Sequence, residues 1–99
     1  MRLTQEQIDA IRISANEVFG SGVQVWLFGS RVDEQRRGGD IDLLVRPAQS
    51  GIKPSLASKI RFLGKLEKRL GERKVDVIVE VPEDSRPIVQ IAHETGVLL

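Results

Sequence analysis

The sequence predicts an α/β fold, in which helices pack on a small mixed β-sheet within one domain that spans residues 1–99. Runs rich in β-branched and aromatic residues lie at 23–28, 40–45 and 74–81, and longer segments with apolar residues at helical spacing lie before the first run, between the second and third, and after the third. A length of 99 residues is enough for one hydrophobic core but not for two. We therefore expect a single domain of two or three layers.

Three segments are predicted to be helices. The first begins with a capping box, in which Thr4 is the N-cap and Gln7 reaches back to it. The second runs from Leu56 to Leu70, before Gly71, and its predicted core stripe is Leu56, Ile60, Leu63, Leu66 and Leu70. The third is capped by Asp84 or Ser85 and has Pro87 in its first turn, and its apolar positions are Ile88, Ile91 and Ala92. The apolar tail at 97–99 is expected to pack either on the sheet or on a partner.

The composition argues against several classes of protein. Fifteen basic and fourteen acidic residues leave a formal charge of +1, so there is no electrostatic case for a nucleic-acid partner. The absence of cysteine excludes disulfides, thiolate metal sites and a cysteine nucleophile. The N-terminus lacks the apolar region of a signal peptide, and no apolar run approaches the roughly 18 residues of a membrane span. These features predict a cytoplasmic protein without a membrane partner.

The ends of the first two predicted strands carry the residues that indicate chemistry. Gly29 and Ser30 follow the first strand, in a turn that can present N–H groups and a hydroxyl to phosphate. Asp40 and Asp42 open the second strand and share one face of it, where they repel each other unless a cation binds between them. Arg31 either binds phosphate oxygens through its guanidinium or lies in solvent. Together these residues predict a metal–nucleotide site.

Asp76, near the start of the third strand, is the predicted third carboxylate. It alternates with Val75, Val77 and Val79, and an acid buried among valines is costly unless it is paired or bound to a metal. Three carboxylates can hold two Mg²⁺ ions, which promote in-line attack of a hydroxyl on the α- or γ-phosphorus of a nucleoside triphosphate. The residues alone do not choose between these reactions. The alternative for the Asp40–Asp42 pair is a solvated strand edge.

Gly29-Ser30, nine intervening residues and Asp40-x-Asp42 resemble the signature of the DNA polymerase β-type nucleotidyltransferase superfamily, and Asp76 fits its third carboxylate. The short chain looks like the minimal nucleotidyltransferases, the MNT or MntA-like antitoxins. This resemblance implies transfer of AMP from ATP with two Mg²⁺ ions. Carried onto this sequence, it implies that Gly29 and Ser30 hold the phosphates and that Asp40 and Asp42 bind both metals. Asp76 would bind the catalytic metal and help to deprotonate the acceptor hydroxyl.

The resemblance also implies a partner. Minimal members are often antitoxins of an all-helical HEPN-type toxin, which some of them inactivate by adding AMP to a tyrosine. Two alternatives remain at this stage: a non-catalytic module that neutralises its partner by occlusion, and a nucleotidyltransferase acting on RNA or a small molecule. A small sheet also leaves exposed strand edges, so a homodimer is plausible.

Overall fold

A computed structural model describes residues 3–29, 41–48 and 55–99. In chain order its elements are α1 (Gln5–Phe19), β1 (Gln24–Phe28), β2 (Ile41–Arg46), α2 (Leu56–Leu70), β3 (Val75–Val79), α3 (Pro87–Thr95) and β4 (Val97–Leu98). The strands form one sheet in the order β3-β2-β1-β4. β1 is antiparallel to both β2 and β4, whereas β2 and β3 are parallel. The sheet is therefore mixed, which confirms the predicted fold class.

The two faces of the sheet are covered differently, because side chains alternate along each strand. One face packs against α1 and α2, and its buried core comprises Ile11, Ala15, Val18, Phe19, Val25, Leu27, Ile41, Leu43, Val45, Phe62, Leu66 and Val77. The other face packs against α3, in a smaller cluster of Phe28, Leu44, Val89 and Ala92. The fold thus has three layers.

Two capping boxes fix the starts of α1 and α2. Gln7 N–H donates to Thr4 Oγ1 (3.1 Å) and Thr4 N–H donates to Gln7 Oε1 (2.9 Å), which confirms the predicted box. Ser55 and Ser58 form a second, unpredicted box, with reciprocal N–H···Oγ distances of 3.0 and 3.1 Å. Such caps each contribute about 1 kcal/mol to helix stability.

The predicted core stripe of α2 is wrong in its first half. Leu56 and Ile60 are 72% and 59% exposed, whereas Phe62 is fully buried. On the flank of the helix that faces α1, Arg69 Nη1 donates to Glu17 Oε1 (2.6 Å) and to Ser14 Oγ (2.9 Å). The hydrogen bond from Arg69 lowers the pKa of Glu17. With its Arg69 side against α1, the helix points Phe62 and Leu66 into the core.

α3 also differs from its predicted pattern. Its buried residues are Val89 and Ala92, while Ile88 and Ile91 are exposed. Its N-cap is Arg86, without a side-chain cap. Asp84 instead accepts hydrogen bonds from the N–H groups of Val81 (3.2 Å) and Arg86 (3.1 Å), so it organises the turn that precedes the helix.

The C-terminal tail packs on the sheet as its fourth strand. Val97 pairs with Leu27 and Leu98 with Trp26, and Leu99 N–H donates to Val25 C=O (2.9 Å). Gly96 allows the tight turn from α3, because a Cβ there would overlap the Ala92 carbonyl oxygen and lie 3.1 Å from that of Leu27. Among the helices described, none combines the length and the apolar character needed to cross a membrane.

Candidate active site

Gly29 lies directly against the carboxylate of Asp42. It follows Phe28, which is the register partner of Asp42 in the β1–β2 pair. Its φ of 77° is in the left-handed region, which favours glycine. A Cβ at this position would overlap Asp42 Oδ2 and lie 3.1 Å from Cγ. Both the backbone angle and the close approach therefore require a residue without a side chain.

Asp42 and Asp76 are register partners across the parallel strands β2 and β3. Opposite residues in neighbouring strands point to the same face, and the strands lie about 4.8 Å apart. The two carboxylates are thus adjacent on the α3 face, at the end of the sheet where β1 finishes. Three segments distant in sequence meet there, as the predicted constellation of Gly29, Asp42 and Asp76 requires.

The structure corrects the predicted surroundings of the Asp76 side chain. The sequence analysis placed its side chain among buried valines, but Asp76 is exposed and Asp42 is half-buried. The valines on either side of it point to the opposite face, against α1 and α2. The proximity of the two carboxylates on one face, rather than burial, is what supports a cation site here.

Three predicted site residues, Ser30, Arg31 and Asp40, lie outside the described residues, and their roles stay predictions. Within residues 3–29, 41–48 and 55–99, no group of three His, Cys, Asp or Glu side chains could hold a metal ion. Asp42 and Asp76 are nevertheless adjacent hard oxygen donors, which suit Mg²⁺ and its preference for one or two carboxylates completed by phosphate and water. These two donors fit Mg²⁺, and Asp40 is the remaining carboxylate predicted for the site.

A second polar cluster lies on the same face, and the sequence analysis missed it. Arg46 and His93 both contact the Glu80 carboxylate, and Arg46 Nη2 lies 3.2 Å from His93 Nε2. The edge of the Trp26 ring system meets the His93 ring, with 4.5 Å between centroids, and the Arg46 guanidinium lies 5.2 Å from the Trp26 centroid. Arg46 lies four positions after Asp42 along β2, a distance of about 13 Å, so this cluster does not touch the carboxylate pair.

The Glu80 side chain is only 11% exposed. Burial raises the pKa of Glu80, but hydrogen bonds from Arg46 and His93 outweigh it, so the pKa lies below the ordinary value of 4.5. A carboxyl whose pKa is lower in the folded than in the unfolded chain stabilises the fold above its unfolded pKa. That contribution disappears as the pH falls through the lower, folded value.

Glu80→Gln is therefore expected to make the free energy of unfolding less dependent on pH below neutrality. The wild-type chain should lose more stability than the variant as the pH falls from neutrality through 4.5, because only the wild type must protonate this paired carboxylate. Urea unfolding at several pH values measures the difference. Glu94→Gln, a change on an exposed residue of α3, serves as the control and should follow the wild type. An equal loss of unfolding free energy in Glu80→Gln and the wild type as the pH falls would contradict the prediction.

Gly29→Ala is expected to impair activity more than stability. The added Cβ displaces the Asp42 carboxylate and strains a left-handed backbone, at a cost of about 1 kcal/mol for the backbone alone. Activity should fall by about tenfold or more, because the displaced oxygen can no longer hold its position in the site. Gly64→Ala is the matched control, since a Cβ there has no neighbour within 4 Å. Equal activity of the two variants would show that the Gly29–Asp42 contact is dispensable.

Paired carboxylates on adjoining strands, beside a glycine turn, are the arrangement expected of a site for metal-chelated phosphates. A family model described as the nucleotidyltransferase domain matches residues 8–99. The chain therefore belongs to the nucleotidyltransferase domain family, which confirms the superfamily part of the predicted resemblance. The chemistry of this family is nucleotidyl transfer, so the chain is a transferase by family. Among curated proteins, none matches the chain.

Proposed function

We propose that the protein transfers AMP from ATP, in the presence of Mg²⁺, to a hydroxyl group of another protein. The observation that carries the proposal is the register pairing of Asp42 with Asp76 beside Gly29. A sheet that merely supports a binding surface does not need two carboxylates side by side. Nucleotidyl transfer uses them, because the reaction gathers the negative charge of a triphosphate at one point.

Each residue has a distinct role in this proposal. Gly29 and Ser30 hold the β- and γ-phosphates through backbone N–H groups and the hydroxyl. Asp40 and Asp42 would hold both Mg²⁺ ions, and Asp76 would hold the catalytic one. When bound, the ions neutralise triphosphate charge and stabilise the departing oxygen.

The transfer itself is a displacement at the α-phosphorus. The acceptor oxygen forms a bond to this phosphorus while the bond to the bridging oxygen of the β-phosphate breaks, and pyrophosphate leaves. In this proposal Asp76 accepts the proton of the acceptor hydroxyl, because it is the more exposed member of the carboxylate pair. Asp42 is half-buried and lies against Gly29.

The proposed acceptor is a tyrosine of an all-helical HEPN-type toxin, for which this protein would act as the antitoxin. The resemblance to minimal nucleotidyltransferases supports this partner. The exposed surface of α3 is compatible with it: Ile88 and Ile91 lie one helical turn apart on the layer that covers the carboxylate face, and 40% and 49% of their surface is exposed. A helical partner could bury this apolar pair while presenting a hydroxyl to Asp76.

The experiment combines the protein with its helical partner, ATP and Mg²⁺. Intact-mass measurement of the partner should show an increase equal to one or more AMP groups. Asp40→Ala and Asp42→Ala should abolish the increase, and Asp9→Ala, which removes an exposed acid from α1, should preserve it.

The two alternatives give different results in the same experiment. A partner that stays unmodified, and is neutralised equally well by both site variants, would indicate a binding module. AMP found on RNA or a small molecule instead of the partner would indicate a different acceptor and leave nucleotidyl transfer intact.

A further inference from the structure

The outer edge of β3 is an open strand edge. β3 is the last strand in the order β3-β2-β1-β4, so in the described part of the chain no strand pairs with its outer side. Proteins usually protect such an edge with lysine, proline or inward-pointing charge. β3 reads Val75-Asp76-Val77-Ile78-Val79; it has one charged residue, Asp76, but contains neither lysine nor proline. An edge of this kind favours pairing with another strand.

The backbone groups that point outward from β3 can be identified from its bonds to β2. Lys74 C=O accepts from Ile41 N–H (3.0 Å) and Glu80 N–H donates to Val45 C=O (2.8 Å). Because direction alternates along a strand, the even-numbered residues bond to β2. The N–H and C=O groups of Val75, Val77 and Val79 therefore face outward.

Strand overlap and charge together select one register for antiparallel pairing of this edge with a second copy. Centred on Val75, the pairing sets Asp76 opposite Lys74, but only Val75 of the five strand residues then meets a strand residue of the second copy. Centred on Asp76, it sets two Asp76 side chains opposite each other, and centred on Ile78 it sets Asp76 opposite Glu80; both place like charges together. Centred on Val77, it sets Asp76 opposite Ile78, and all five strand residues are paired. In this last register Val77 pairs with Val77 and Val75 with Val79, so all the outward backbone groups meet.

The exposed apolar residues of α2 lie on the same side of the molecule. Arg69 and Lys65 turn one flank of α2 toward Glu17 of α1. Leu56 and Ile60 are one helical turn apart on the opposite flank, beside Leu63. Leu63 and Val75 of β3 line one cavity, whose other lining residues are the charged Glu67, Glu72, Arg73 and Lys74. The apolar flank of α2 thus lies next to the outer edge of the sheet.

We propose that two copies of this chain associate through the outer edges of β3, antiparallel about a two-fold axis at Val77. The two four-stranded sheets then become one sheet of eight strands, and the apolar flanks of the two α2 helices meet across the axis. The two Asp76 residues lie diagonally across the strand pair, about 7–8 Å apart. The two carboxylate sites are neighbours on one face of the joined sheet.

The first test is the oligomeric state of the full chain by sedimentation velocity. The wild type should sediment with twice the mass of one chain. The double variant Leu56→Glu/Ile60→Glu, which changes only exposed residues, should sediment as a monomer with an unchanged circular dichroism spectrum. Ile13→Glu makes the same change at a residue of α1 that is 51% exposed and should remain a dimer. A monomeric wild type would overturn the proposal, as would a dimer that only Ile13→Glu disrupts.

The second test measures the register, and it benefits from the absence of cysteine in the chain. In the double variant Val75→Cys/Val79→Cys, the cysteine at position 75 of one copy faces the cysteine at position 79 of the other. Mild oxidation should therefore produce a covalent dimer. Within one chain the two positions are about 13 Å apart and cannot form a disulfide. Neither single variant should cross-link. Cross-linking of a single variant, or none in the double variant, would overturn the register.

Discussion

Asp76→Asn is expected to slow AMP transfer by about a hundredfold to a thousandfold without unfolding the protein. The change keeps the shape of the side chain but removes its charge, so the carboxylate pair loses one oxygen ligand and the acceptor hydroxyl loses its base. Asp76 is exposed, so the free energy of unfolding should change by no more than about 0.5 kcal/mol. Pyrophosphate release in the presence of ATP, Mg²⁺ and partner measures the rate.

The matched control for this prediction is Asp9→Asn. Asp9 is an exposed acid on α1, which covers the opposite face of the sheet, so its loss changes the net charge equally without touching the site. Its rate should match that of the wild type. If Asp76→Asn retained wild-type activity, the catalytic role of the Asp42–Asp76 pair would have to be abandoned.

Phe62→Ala is expected to lower the free energy of unfolding by about 3–5 kcal/mol. The Phe62 side chain is fully buried and packs edge-on against Phe19, with 5.4 Å between ring centroids and an angle of 71° between the rings. It joins α2 to α1 above the sheet, so its removal leaves a cavity where two helices and the sheet meet. The total free energy of unfolding of a domain is only about 5–15 kcal/mol, so the variant is close to unfolding at ambient temperature.

Urea unfolding followed by circular dichroism measures this loss, and Arg61→Ala provides the control. Arg61 precedes Phe62 in α2 but is exposed, so truncating it should change stability by no more than about 0.5 kcal/mol. Similar losses in the two variants would show that the core does not depend on Phe62.

The helices were predictable as elements, but the orientation of α2 was not. Its capping serine, its apolar residues and Gly71 all lie in one continuous segment, and the predicted bounds of Leu56–Leu70 are confirmed. Its apolar residues occupy so much of its circumference, however, that several stripes fit helical spacing equally well. Packing of Phe62 edge-on against Phe19, 43 residues earlier in the chain, decides that Phe62 and Leu66 face the core. Contacts of that range cannot be inferred from periodicity.

The polar cluster of Trp26, Arg46, Glu80 and His93 was missed for the same reason. Each residue has an ordinary local explanation as a core aromatic or a surface charge. Only the pairing of β1 with β2, and of β2 with β3, places Arg46 beside Glu80, and only the packing of α3 brings His93 over them.

What the sequence by itself determined is the alternation of strands and helices and the residue types of the site: a glycine turn after β1 and acids at the starts of β2 and β3. What only the tertiary structure decided is that Asp42 stands opposite Asp76, with Gly29 against it. The physical reason is register. Ile41, Leu43, Val45 and Val77 are buried against α1 and α2, and a slip of one residue would turn them to the α3 face and drive the carboxylates into the core. Burial of the apolar face thus places the acids side by side on the other.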